Sequence, residues 1–203
     1  ILEGGWNHVN DVLEYIFAYH ETIDTSSEPQ FKARFTTCCN QVLERNNYAY
    51  RLINGIFIPI IDKGEIASIS NTLALPTSLN TVKIHISTAM KLLSNRDNPD
   101  YRNSIKESIS AVEAICGIVS GEPKSTLNGA LKSIERKRQI ALHKALADAF
   151  SKLYGYTSDE HGIRHSLLDE SALDSEDAIF MLVSCSAFVN YVVQKATKAG
   201  LTF

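Results

Sequence analysis

The sequence carries no strong charge of either sign, little cysteine and no long apolar run, and each lack removes a class of protein. Twenty Lys and Arg stand against 23 Asp and Glu, a net charge of −3 at pH 7. That balance excludes both a wholesale nucleic-acid binder and a disordered acidic chain, so any polyanion site has to come from local clustering. The four cysteines, Cys38, Cys39, Cys116 and Cys185, make no C-x-x-C pair, and no His stands at zinc-finger spacing from one. They are too sparse for a disulfide scaffold, and buried free thiols are expected. No stretch reaches the ~18 consecutive apolar residues of a spanning helix. No basic-then-apolar secretory signal opens the chain. These absences lead to the expectation of a cytoplasmic protein with no membrane partner.

Motifs for common chemistries are lacking too. Gly4-Gly5 and Gly117…Gly121 have no following Lys-Ser/Thr and no preceding strand, so there is no phosphate loop. There is no G-x-S-x-G elbow and no H-E-x-x-H. Of His8, His20, His85, His143, His161 and His165, only the last two share i, i+4 spacing, and they flank Gly162 with no Glu base between them. No metal and no cofactor is expected. There is no initiator Met; Ile1-Leu2-Glu3 reads as an internal start, with the expectation of a regulatory N-terminal region beyond this chain.

What is present is mostly helical periodicity. Trp6, Val9, Leu13, Ile16 and Phe17 share one face, and Pro29 opens a second helix through Phe31, Phe35 and Val42-Leu43. The period then changes. Residues 48–53 and 56–60 are apolar, β-branched and aromatic runs on either side of Asn54-Gly55, the strongest short-range hairpin signal. Two strands alone are marginal, so this hairpin must pack on the helices before it. Helical spacing returns at Leu79, Val82, Ile86, Ala89 and Leu93, and again at Ile105, Ile109, Val112, Cys116 and Val119. Shorter helices should cover Leu127–Ile134 and Leu142–Tyr154. The last begins near Asp174, where Asp174 and Asp177 suit the positive end of a helix. From Ala178 to Val193 its polar residues are Ser184, Ser186 and Asn190. A helix apolar nearly all round needs cover on two sides, which predicts a homodimer through this C-terminal helix. The division falls near residue 76: a helical segment with one hairpin over 1–75, and a helical bundle over 76–203.

Charge is unevenly placed. Residues 131–152 hold Lys132, Arg136, Lys137, Arg138, Lys144 and Lys152 against Glu135 and Asp148, a local +4. One reading is a solvated helix face; the other is contact with an RNA backbone, where clustered Lys and Arg release condensed counterions. Arg136, Lys137, Arg138 and Lys144 are the candidate RNA contacts. Further on, Arg164 and His165 follow a loop in Gly162-Ile163-Arg164-His165-Ser166-Leu167-Leu168. Arg holds a phosphate bidentately and His moves a proton near neutral pH. Together they are a minimal kit for metal-free RNA cleavage by the 2′-OH, though a surface pair that caps a helix or meets Asp159 or Asp169 has the same spacing.

Several long segments resemble a known family. They are 98–113 (NPDYRNSIKESISAVE), 149–159 (AFSKLYGYTSD) followed by Gly162–His165, and 177–191 (DAIFMLVSCSAFVNY). They look like HEPN-like domains of bacterial abortive-infection proteins. Tyr50–Gly55 and Ile58-Pro59-Ile60 resemble the end of the AbiJ-type N-terminal region that precedes such a module. The resemblance implies a mainly α fold: a HEPN-like helical bundle, commonly dimeric, preceded by a helical segment with one small β-hairpin. It implies a toxin-like, metal-independent endoribonuclease of antiviral defence. The family motif is Arg, a polar residue, then a His after a gap of four to six residues. Arg164 and His165 match its start, but Asp169, Glu170 and Ser171 stand where the distal His would be. Arg138 and His143 fit that spacing as an alternative pair.

The leading reading makes Arg164 and His165 catalytic, with Arg102 and Glu107 as supporting residues, since the family-like helix places polar groups there. The rival is a non-catalytic module that dimerises or senses a ligand or RNA in a defence protein. The missing distal His favours the rival; the basic run favours the nuclease.

Overall fold

A computed structural model describes residues 6–23, 28–158 and 173–203. In order, the elements are α1 (Trp6–Ile23), α2 (Glu28–Arg45), β1 (Arg51–Ile53), β2 (Ile56–Ile58), α3 (Lys63–Leu73), α4 (Asn80–Leu93), α5 (Tyr101–Ser120), α6 (Leu127–Lys137), α7 (Lys144–Ser158) and α8 (Ser175–Lys198), with one 3-10 turn at Thr77–Leu79. The mainly α expectation with a single hairpin holds among these residues. The chain forms two compact units: residues 1–66 with 94–99, and 67–93 with 100–203.

In the first unit the hairpin pairs Arg51 with Ile58, Leu52 with Phe57 and Ile53 with Ile56. Asn54 and Gly55 take φ of 49° and 80°, the two positive values of a type I′ turn, so the periodicity reading is borne out. Leu52 and Phe57 bury themselves against Phe17 of α1, with Leu13, Phe35 and Leu43 around them. The strand edges are satisfied by side chains. Asn40 donates to Leu52 O at 2.9 Å and accepts from Leu52 N at 2.8 Å. The Glu14 carboxylate accepts from Phe57 N at 2.8 Å. Arg96 closes the set by pairing with Asp11 and, at 2.9 Å, with Glu14. Burial raises the Glu14 carboxyl, partly offset by that backbone hydrogen bond, and burial lowers the Arg96 guanidinium.

The second unit is built around α5. Every apolar residue expected on one face of α4 (with Leu79 just before it) and of α5 is buried. Asp100 caps α5 at its start through Asn103 N. Gly121, at φ 71°, ends it, and Glu122 N reaches back to Gly117 O at 3.0 Å. Small residues let the helices approach: the Ser104 hydroxyl donates to Ala89 O on α4 at 2.9 Å. Asp174 and Asp177 form a reciprocal capping box at the start of α8, as their position suggests.

α8 is long and apolar enough to cross a bilayer by length and composition. Its apolar face, however, packs on α5 as core. Met181, Leu182, Cys185, Val189 and Val192 are buried, and Phe188 stacks on Phe150 with centroids 3.6 Å apart. Phe180, 58% exposed, is a large apolar side chain that α8 turns outward, so an interface through this helix would have to use it.

Two features differ from the sequence reading. α3 was not expected. Asp62 nucleates it by accepting from Gly64 N and Glu65 N. Its second half is held by α8: Asn190 donates to Ser68 O at 2.8 Å, and the Thr72 hydroxyl bonds Ser186 O and Asn190 Oδ1. The cysteines are also not uniform. Cys116 and Cys185 are buried, and burial pushes both thiols up to about 12. Cys38 is exposed and Cys39 half-buried, because successive helix positions lie ~100° apart and only one can face inward.

Candidate functional site

Arg164 and His165 lie outside the described residues, and so do the flanking Asp159 and Asp169. Of the remaining sequence-derived candidates, Arg102 and Glu107 lie on α5, and the others run from the end of α6 to the start of α7. Arg102 is half-buried in the first turn of α5, and Glu107 follows ~140° around the helix, so they do not share a face. Glu107 instead reaches α4, where its Oε2 lies 2.7 Å from Nδ1 of His85. Both side chains are partly exposed, by 23% and 29%. A carboxylate on Nδ1 fixes the imidazole and leaves Nε2 as the nitrogen that can meet a second group. His85 carries no local signal of this role. It stands 22 residues before Glu107, and only the α4–α5 hairpin joins them.

Part of the basic run meets the C-terminal end of α5. Lys137, at the end of α6, donates to Ser120 O at 2.8 Å and to Glu122 at 2.9 Å. It therefore caps the last turn of α5, where free carbonyls attract a cation. The Ser133 hydroxyl also donates to Glu122, and Arg136 stands 3.8 Å from it. Lys137 and Ser133 together hold the Glu122 carboxyl below its ordinary range. Arg138 is exposed and takes a left-handed φ of 51° as the C-cap of α6. His143 precedes α7, and its Nδ1 accepts from Ala145 N at 3.2 Å, which requires the proton of the neutral ring on Nε2. Lys144, the first residue of α7, is exposed. Because Lys137 touches Ser120, 18 residues beyond Arg102, the cluster and Arg102 are separated by about 27 Å along α5. Within one chain the structure does not bring Arg102 and Arg138 together.

Chemically, the Lys137 end offers an exposed Arg136 beside a carboxylate already satisfied, with Arg138 exposed at the end of α6 and Lys144 exposed at the start of α7. The Glu107 end offers an oriented imidazole.

Residues 1–75 match the family model for AbiJ N-terminal domain 4.

That AbiJ-type segment covers α1, α2, the hairpin and α3, and supports the N-terminal part of the resemblance. It stops before α4, so it does not reach the segments whose sequence resembles HEPN-like domains. No curated protein and no solved structure matched the chain.

Proposed function

We propose that this chain is part of an abortive-infection system, in which residues beyond the AbiJ-type segment form a metal-independent endoribonuclease module. The AbiJ-type match over residues 1–75 is the observation that supports the defence setting. The ribonuclease reading rests on Arg164 and His165, adjacent in sequence within a HEPN-like motif. In this reading Arg164 holds the scissile phosphate. The 2′-oxygen attacks phosphorus, the 5′-oxygen leaves, and His165 transfers the proton, giving a 2′,3′-cyclic phosphate and a 5′-hydroxyl end. Arg136, Arg138 and Lys144 would lie along the RNA backbone.

A second reading is a non-catalytic sensing or dimerisation module. It is favoured by the engagement of Lys137 and Arg136 with Glu122, which gives part of the basic run a folding role, and by the absent distal His.

The deciding experiment combines phage plating with an RNA digest. Wild type that protects cells and yields 2′,3′-cyclic ends, both lost in Arg164→Ala, supports the nuclease. Protection that survives Arg164→Ala, with RNA left uncut, selects the sensing module.

A further inference from the structure

Arg51, the first residue of β1, is only 8% exposed. One end of its guanidinium has a structural task. α2 ends in a turn where Tyr48 N returns to Leu43 O and Asn47 takes a left-handed φ of 51°. Arg51 Nη1 donates to two carbonyls beyond that turn, Tyr48 O at 2.5 Å and Tyr50 O at 2.8 Å. Both Nη1 protons are thereby used. The other edge is open. Nε and Nη2 make no hydrogen bond among the described residues, and neither is sealed from solvent. That edge is the fork that meets two oxygens of one oxyanion side-on.

The charge of Arg51 is poorly matched. Arg96, also in the first unit, pairs with the carboxylates of Asp11 and Glu14. Among the described residues, no carboxylate hydrogen-bonds Arg51. Glu44 is the acid that feels its charge: the carboxyl is lowered mainly by its hydrogen bond to Lys63 and further by Arg51. Lys63 Nζ holds Glu44 at 2.8 Å, so one carboxylate serves two cations. A buried guanidinium with backbone partners alone stays under-compensated. We propose that the Nε–Nη2 edge of Arg51 and the Lys63 ammonium together bind a phosphate-type oxyanion. The oxygens select phosphate over carboxylate. Two fill the fork and a third remains for Lys63, whereas the fork uses up both oxygens of a carboxylate. Lys63 is available, because its pair with Glu44 is exposed by 81% and 52% and so open a pair yields at little cost. The site lies in the AbiJ-type segment and stands whether or not the chain cuts RNA.

Calorimetric titration of the full chain with inorganic phosphate tests this, at an ionic strength held constant with chloride. Saturable binding is expected, with a dissociation constant of about 1 mM or below, and the Arg51 Nε–H resonance should shift with the same midpoint. Glu44→Gln removes the competing carboxylate and should tighten binding about threefold or more. Lys63→Ala should weaken it by a similar factor. Both side chains are exposed, so far-UV circular dichroism should not change in either variant. Arg51→Lys keeps the charge but loses the fork, and should abolish saturable binding; if it fails to fold, the two exposed variants decide. Acetate should bind at least about tenfold more weakly than phosphate. Adenosine 5′-monophosphate separates the sources. Binding tighter than phosphate assigns the site to the phosphate of a nucleotide; binding no tighter assigns it to free phosphate. Absence of saturable binding up to about 50 mM phosphate overturns the proposal. So does binding that leaves the Arg51 Nε–H unmoved, or that is the same in Glu44→Gln and Lys63→Ala as in wild type. Arg51 would then be a brace of the α2–β1 turn alone.

Discussion

Glu107 on α5 meets Nδ1 of His85 on α4 at 2.7 Å, joining two helices that the sequence treats as separate stripes. The pair is partly exposed, so its contribution to stability is small. Glu107→Ala should cost about 1 kcal/mol in thermal or urea unfolding. If Glu107 also supports catalysis, the same variant should lower RNA cleavage well beyond the loss of folded protein, and His85→Ala should reproduce that loss. Cleavage at the wild-type rate in both variants would reduce the pair to a helix tie.

Cleavage of RNA should depend on Arg164 and His165 and resist chelator, and a 2′-deoxy substrate should be inert because its nucleophile is missing. His165→Ala should abolish turnover while largely sparing RNA binding, since it removes proton transfer rather than charge. Arg164→Ala should weaken both by deleting a bidentate phosphate contact. If His165→Ala keeps full activity and His143→Ala loses it, the working pair is Arg138 and His143. Activity loss in His143→Ala must then be separated from loss of the α7 cap, because His143 Nδ1 accepts from Ala145 N.

Arg138 allows fold and RNA roles to be separated cleanly. Its left-handed φ of 51° is strained for any residue with a Cβ. Arg138→Gly should therefore be neutral or stabilising by up to about 1 kcal/mol. A role on the RNA backbone predicts weaker binding in the same variant, with a shallower salt dependence. Unchanged affinity and slope would remove Arg138 from the interface.

Glu122 gives a pH signature. Hydrogen bonds from Lys137 and Ser133 lower its carboxyl in the fold below the ordinary 4.5. A lowered folded value contributes stability above the unfolded value and loses it as pH falls through the folded one. Wild type should thus exceed Glu122→Gln in unfolding midpoint at pH 6. The gap should close as pH falls below about 4.5 toward the folded value. A gap that is constant with pH would show that the carboxylate charge is not what Lys137 recognises.

Gly55 is held by space as well as by its turn. A Cβ there would come within 2.5 Å of the Phe17 ring, at a φ of +80°. Gly55→Ala should destabilise the AbiJ-type segment by about 2 kcal/mol or more, read by thermal unfolding. Asn54→Gly should be tolerated, because glycine also accepts the φ of 49° at that position.

Thiol reactivity should separate the cysteines. At low protein concentration Cys38 should label first and Cys39 more slowly, its thiol raised mainly by burial. Cys116 and Cys185, pushed up to about 12, should label only at the rate of unfolding. Fast labelling of all four in native buffer would contradict the packing of α5 and α8.

The local pattern of the sequence determined the elements whose signals are local. The stripe Ile105–Ile109–Val112–Cys116–Val119 repeats at helical period, Asn54-Gly55 can hold two positive φ values, and Asp174 with Asp177 satisfies a helix start; each needs only its neighbours in the chain. Tertiary structure decided what depends on distant residues. α3 has few apolar residues, and its second half is fixed by Asn190 and Ser186 more than 110 residues away. His85 acquires its carboxylate from the next helix, and Lys137 becomes a cap because α6 ends beside Ser120. Apolar residues also look alike in sequence whether covered or not. Phe188 of α8 found its cover within the chain, while Val12 and Tyr15 of α1 remained exposed. Periodicity fixes which residues share a helix face, and only packing decides whether that face meets the core or water.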